Sequence, residues 1–271
     1  MRAAARAYYQ LDRAERAIAL RARLWMQGFL SSALVPRERA LVAIDAYDVA
    51  PGALSRELFD WERAWFARRL PPPPAAVFVA AAGDGREAVE LRARGYRVDA
   101  LEPARRLADR CRRRLGAGSE VHVSRLETFD AARARGPYDA VLIGWGGLSH
   151  VLDRTDREAA LRTCAALAPA GPILASFFVR GAHNPGAASR AHRLGNAAGR
   201  AVARLRGVDA GEDAGGTWFA GWYGFAHAFS PDELGALAAA IGRRFAWDVA
   251  PGDAPDAGPR RGVFLPPRDV E

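Results

Sequence analysis

The stretch from Val77 to Glu102 limits the folds open to this chain more than any other. Val77 to Ala82 is a short apolar run, as expected of a strand covered on both faces. Gly83-Asp84-Gly85 follows, where glycine permits a sharp turn and leaves room for a ligand to lie against the backbone. From Arg86 to Arg94 the residues Ala88, Val89 and Leu91 recur at helical spacing, and Gly95 suits the position just past a helix end. Tyr96 to Leu101 is a second strand, and it ends in Glu102. Strand, turn, helix, strand is a parallel unit, because the helix carries the chain back across the sheet. An acid at the end of the second strand, roughly 20 residues past the turn, stands where a bound nucleoside presents its ribose hydroxyls. A carboxylate can accept from both hydroxyls at once.

The alternation continues downstream. Pro103 opens a helix that Gly116-Ala117-Gly118 breaks, and Glu120 to Val123 is a third strand. Tyr138 to Ile143 is a fourth, running into the glycine-rich loop Gly144 to His150. This loop is a second break at the carboxyl edge of the sheet, where ligands bind in open α/β folds. Thr155-x-x-Glu158 reads as a capping box for a helix to about Ala168, and Ile173 to Val179 is a fifth strand. A helical piece spans about Ala187 to Arg206, and the aromatic-dense segment Thr217 to Phe229 ends at a second capping box, Ser230-Pro231-Asp232-Glu233. A helix from Pro231 to Ile241 then precedes the paired runs Phe245–Val249 and Gly262–Leu265. The pattern predicts an α/β fold, a doubly wound, seven-stranded, mainly parallel sheet with helices on both faces.

Residues 1–70 carry no strand signal and read as a separate helical region. Leu11, Ile18, Leu24 and Phe29 recur at approximate helical spacing, Pro36 opens a second helix through Tyr47, and a third starts at Ser55 and runs to Leu70. The prolines of 71–74 end it as a stiff spacer, and 75–271 is the core domain.

Gly83 and Gly85 do not complete the G-x-G-x-x-G of dinucleotide binders, since Arg86, Glu87 and Ala88 follow. With Glu102 and the Gly144–His150 loop, they resemble motif I, the following acid and the post-fourth-strand loop of class I S-adenosylmethionine (SAM) methyltransferases. The resemblance covers about residues 75 to 268 and departs at two places: Val79 stands where an acid is usual, and Ala81 where the first glycine is usual. It implies a Rossmann-like methyltransferase fold, SAM as cofactor, and cofactor contacts from Ala81, Ala82, Gly83, Gly85 and Glu102. It also implies adenine contacts from Leu126, with Glu127 in place of an acid more often found where Arg125 is. Gly144 would allow close approach to the cofactor and Trp145 would offer a flat apolar wall. The resemblance gives the helical region the part of a lid or substrate wall.

Net charge +8 and a pI near 10.4 invite a nucleic-acid reading. All 39 cations are arginine, which together with the abundance of alanine points to coding bias over selection for a polyanion. The densest run, Arg105 to Arg114, interleaves with Leu107, Ala108, Cys111 and Leu115 and reads as the solvated face of a helix. Cys111 and Cys164 lack metal-ligand or disulfide spacing, so no metal is expected. With neither a membrane span nor a signal-peptide core visible, the expected setting is cytoplasmic.

Methyl transfer to a hydroxyl, phenol or protonated amine also removes a proton, which directs attention to bases. His150, just past the fourth strand, is one candidate, with the alternative that it caps or packs the next helix. Tyr223 and His227 lie in the aromatic segment and, with Phe225, fall on one strand face. His183 is a weaker candidate. The function expected is metal-independent methyl transfer to O or N of a small aromatic or planar acceptor. RNA methylation, non-catalytic SAM or nucleotide binding, and nicotinamide-dependent oxidoreduction remain as alternatives, and the oligomeric state is open.

Overall fold

A computed structural model of the chain describes residues 2–49, 57–180, 189–208, 217–219, 224–249 and 259–267. Five parallel strands form its centre: β1 (Ala76–Ala80), β2 (Arg97–Leu101), β3 (Val121–His122), β4 (Ala140–Ile143) and β5 (Ile173–Val179), in the order β3-β2-β1-β4-β5. The order reverses between β1 and β4, so a crevice opens at their carboxyl ends.

The outer edge of β5 is divided between two partners. β6 (Thr217–Phe219) and β7 (Phe225–Phe229) form an antiparallel hairpin, and β7 runs parallel to β5 along Phe178 and Val179. β8 (Arg244–Val249) and β9 (Arg260–Leu265) pair with each other, and β9 runs antiparallel along Ile173 to Phe177. The seven strands predicted from the sequence are all present. The aromatic segment adds the hairpin, making nine among the described residues.

Both faces of the sheet are covered, which is why β1 is apolar at every position. Phe78 and Ala80 pack towards α6 (Arg154–Leu167) and α8 (Pro231–Ala240), through Leu161, Cys164, Leu234 and Leu237. Val77 and Val79 pack towards α3 (Asp60–Arg69), α4 (Arg86–Ala93) and α5 (Arg105–Leu115), through Trp65, Leu91 and Cys111. The two cysteines are buried helix residues of these opposite faces.

Helix starts differ from expectation in instructive ways. α6 begins at Arg154, capped by Asp153, whose carboxylate accepts from Thr155 N at 2.8 Å. The cap therefore lies two residues before Thr155. α3 begins at Asp60, and its first-turn Glu62 accepts from Phe59 N at 2.8 Å. Ser55, where this helix was expected to start, lies outside the described residues.

The helical region does not stand alone. α1 (Arg2–Ala33) lies along α7 (Arg190–Leu205), where Gly28, Gly195 and Gly199 bring the two backbones together. Leu11 and Ile18, expected on a packing face, are about two-thirds exposed, and the close glycine contacts with α7 fall between Trp25 and Ala33. α2 (Pro36–Val49) crosses to β7, with Ala43 against Gly224, and its Asp48 accepts from Arg106 N at 2.9 Å. α3 is tied to β8 through Asp248, which accepts from Trp65 Nε1 at 2.8 Å and Arg69 Nε at 2.6 Å.

Candidate functional site

A cavity of about 380 Å³ occupies the crevice at the carboxyl ends of β1, β2 and β4, within the size range of ligand pockets. α2 and Phe59 close it from the helical region. Its floor is the turn after β1. Ala82 N donates to Leu101 O at 3.0 Å and Gly85 N to Ala82 O at 2.9 Å, with Gly83 and Gly85 at φ 57° and 93°. That left-handed backbone is why these two positions are glycine.

Glu102 closes the turn from the end of β2. Its Oε2 accepts from Gly83 N at 2.8 Å and its Oε1 from Ala104 N at 2.9 Å. Burial pushes its carboxyl up to about 7, against these two hydrogen bonds, with Asp48 adding a smaller upward push. Glu102 is among the residues that line the cavity.

The two departures from motif I differ in kind. Val79 is fully buried in the core face that packs on α3, α4 and α5. Ala81 adopts φ 52°, the left-handed region that glycine would enter without strain. Its Cβ lies where a side chain on Gly147 would go: a Cβ there would stand 2.9 Å from it.

Behind the turn lies a buried ionic cluster. Arg86 donates to both oxygens of Glu62, at 2.6 and 2.7 Å, and to Glu87 Oε1 at 2.7 Å. Burial alone would weaken the guanidinium's hold on its proton, but the two carboxylates more than offset this, and Arg86 stays charged. Glu87 Oε1 also accepts from Trp145 N at 3.2 Å and lies 3.5 Å from where a Cβ on Gly144 would sit. A carboxylate is thus present beside the β1 and β4 turns although Val79 supplies none.

At the adenine corner predicted from the sequence, Leu126 is buried and lines the cavity. Glu127 pairs with Arg125, which also donates to Asp156 at 3.1 Å. The loop after β4 is fixed by two serines of no evident sequence signal. Ser176 Oγ accepts from Gly146 N at 2.7 Å and donates to Gly144 O at 3.1 Å, and Ser149 Oγ accepts from Phe178 N at 2.8 Å.

His150 ends that loop and reaches the cavity. Its Nδ1 lies 3.0 Å from Phe225 O, a group that can only accept, so Nδ1 carries the proton. Nε2 is then an acceptor, and Tyr47 Oη, at 2.9 Å, donates to it. Burial lowers the imidazole's proton affinity to about 4, the bond to Phe225 O opposing only in part. His150 is a neutral, oriented imidazole.

Tyr47 is a cavity residue the sequence did not single out; one aromatic in a helix looks the same whether it packs or faces a ligand. His227 is fully buried outside this lining, its Nε2 2.8 and 3.0 Å from the two Glu233 oxygens. Glu233 also holds the buried Arg157 at 3.0 Å. Tyr223 and His183 lie outside the described residues. The structure therefore brings Ala81, Ala82, Gly83, Glu102, Leu126, Glu127, Trp145 and His150 to one cavity, with Gly85 and Gly144 supporting its turns. Among the described residues, no group of three His, Cys, Asp or Glu side chains could hold a metal ion, and no helix is long and apolar enough to cross a membrane.

No protein-family model and no curated protein matches the sequence. Solved structures do match in shape. The CcbJ methyltransferase from Streptomyces caelestis aligns at TM-score 0.54 and 16% identity, over 81% of this chain and 93% of its own. Magnesium protoporphyrin IX methyltransferase from Synechocystis, solved with bound SAM, aligns at 0.50 and 14%, over 77% of each chain. The sugar N-methyltransferase KedS8 from a Streptoalloteichus species aligns at 0.50 and 17%, over 76% and 85%. The chain has the class I SAM-dependent methyltransferase fold.

Proposed function

We propose that this protein is a SAM-dependent methyltransferase acting on a small molecule. The observation that carries the reading is Glu102: a buried carboxylate at the end of β2, held by Gly83 N and Ala104 N, on a residue that lines the switch-point cavity. A purely structural acid at that place would not need to face a cavity. Glu102 would accept from the ribose hydroxyls, and Leu101, Leu107 and Leu126 would flank the purine. Glu87 and Asp84 would meet the cationic amino-acid end, which suits a chain in which Val79 is core.

Bound SAM supplies a methyl group already activated by a positive sulfur. The protein's part is to place the acceptor and exclude water, and placement alone accounts for much of the rate in such transfers. α2 and Phe59 form the far wall, which supports reading residues 1–70 as the substrate wall and residues 75–271 as the cofactor core. The solved structures of like fold include a sugar N-methyltransferase and a porphyrin methyltransferase, both acting on small molecules by their names. Calorimetric titration with SAM, S-adenosylhomocysteine and NADH tests the reading. Binding of the first two and not the third is expected; no binding of SAM or its demethylated product would overturn it.

A further inference from the structure

We propose that the acceptor is an amine that reacts in its neutral form, presented to the cavity by an N–H donated to Tyr47, and that His150 acts as the positioning residue that fixes Tyr47 as an acceptor. This inference rests on the methyltransferase reading and extends it to the acceptor's chemistry.

The first support is hydrogen-bond polarity. Phe225 O can only accept, which sets His150 Nδ1 as donor and Nε2 as acceptor. Tyr47 Oη must then donate its one proton to Nε2, so towards anything else that reaches it the phenol oxygen can only accept. The direction is set at a backbone carbonyl and passed on through two side chains, so it does not depend on which ligand enters. A group meeting Tyr47 must bring a hydrogen, which a carboxylate or fully ionised phosphate lacks.

The second support is charge. The cavity is lined by four carboxylates, Asp84, Glu87, Glu102 and Glu127, against two guanidinium groups, Arg86 and Arg125. Both cations are already engaged, Arg86 by Glu62 and Glu87, Arg125 by Glu127 and Asp156. The chain is strongly basic overall, yet among the described residues its cavity has a formal excess of acid. Among the described lining residues an anionic acceptor would find no unengaged cation, leaving the sulfonium of SAM itself as its counter-charge.

The third support separates amines from phenols and alcohols. A hydroxyl acceptor needs a base to take its proton during transfer. The imidazole lone pair is committed to Tyr47, and the imidazole is buried neutral with no carboxylate among the described residues bonded to it to stabilise a second proton. An amine in its neutral form needs no such base. Its lone pair forms the N–CH3 bond while the S–CH3 bonding pair remains on sulfur, and the surplus proton on nitrogen passes to water afterwards.

The test uses the full-length protein. SAM binding is first measured by calorimetry; no binding would overturn both this proposal and the wider reading. With SAM bound, radiolabelled methyl transfer is followed to three matched acceptor pools: aryl and alicyclic amines, the corresponding phenols and alcohols, and the corresponding carboxylates. Transfer confined to the amine pool is expected. Transfer to carboxylates, equal transfer to phenols, or no transfer to any pool with SAM bound would each overturn the proposal and leave the cofactor assignment standing. For the best amine, affinity for the complex with S-adenosylhomocysteine is then measured in variants. Tyr47→Phe should weaken amine binding and raise its KM about tenfold while sparing SAM affinity and kcat at saturation. His150→Gln, which can accept from Tyr47 and donate to Phe225 O, should retain amine affinity, and His150→Leu should lose it. Equal loss of SAM and amine binding in Tyr47→Phe, or no change in either, would remove Tyr47 from the acceptor site.

Discussion

Glu102 Oε2 and Gly83 N are joined by a 2.8 Å hydrogen bond that locks the end of β2 to the turn after β1. The same residue lines the cavity, so in the proposed function one side chain both shapes the turn and offers the charge a ligand's hydroxyls would meet.

That double role predicts a proton release. Burial raises the Glu102 carboxyl to about 7, and donors from a ribose would stabilise the charged form and lower it. Below about pH 7, SAM binding should therefore expel close to one proton, and affinity should fall as pH drops. Calorimetry in buffers of different ionisation enthalpy measures the release. Glu102→Gln should abolish it and weaken SAM binding by about 1.5–3 kcal/mol. Binding without proton uptake or release at pH 6.5 would remove Glu102 from the ribose site.

The parts of the site legible in the sequence are those set by short-range pattern. Gly83, Gly85 and Glu102 announce themselves through a strand-turn-helix-strand unit and an acid at its end. Tyr47 and Glu62 do not, because their meaning comes from contacts far along the chain, with His150 and Arg86. In the sequence His227 is a histidine in an aromatic-dense segment, and its partner Glu233 reads as part of a capping box. Only half of that box forms: Ser230 Oγ accepts from Glu233 N at 3.3 Å, while the Glu233 carboxylate turns to His227. The hairpin β6–β7 was hidden because glycine and aromatic residues in one stretch give no clean alternation.

Two small substitutions at the cofactor turn should act in opposite directions. Ala81→Gly removes a left-handed alanine, a strain of roughly 1–2 kcal/mol partly offset by glycine's entropy in the unfolded chain. The melting temperature should rise by about 1–3 °C with SAM affinity unharmed. Gly144→Ala instead places a Cβ 2.8 Å from the backbone oxygen of Ala81, which cannot swing aside, and should lose both stability and SAM binding. If Ala81→Gly lowers the melting temperature, the Ala81 methyl contributes packing that outweighs its strain.

The α1–α7 crossing should tie the helical region to the core. A Cβ on Gly195 would lie 3.0 Å from Phe29 N and closer still to Trp25 O, so the helices cannot keep their spacing. Gly195→Val should raise hydrogen exchange along residues 22–33 and 190–205 while leaving β1, β4 and β5 protected. Unchanged exchange in α1 would mean that the helix is held elsewhere.

Two buried groups should give the ligand-free protein opposing pH dependences. His150 falls from about 6.5 unfolded to about 4 folded, so its contribution is complete above pH 6.5 and is lost as pH falls towards 4. Glu102 rises from about 4.5 to about 7, so its contribution is complete below pH 4.5 and is lost as pH rises through 7. Each shift corresponds to about 3 kcal/mol; His150 should fall somewhat short of that because its ring is partly open to the cavity. In the native sequence the two slopes largely cancel between pH 4.5 and 6.5. Single substitutions should unmask them. Relative to the native chain, His150→Gln should gain stability on going from pH 6.5 to 4.5, and Glu102→Gln should lose it. Urea unfolding of the three proteins at both pH values reads these differences directly, and contributions common to all three drop out. Parallel changes with pH in the two variants would contradict the assignment of both buried groups.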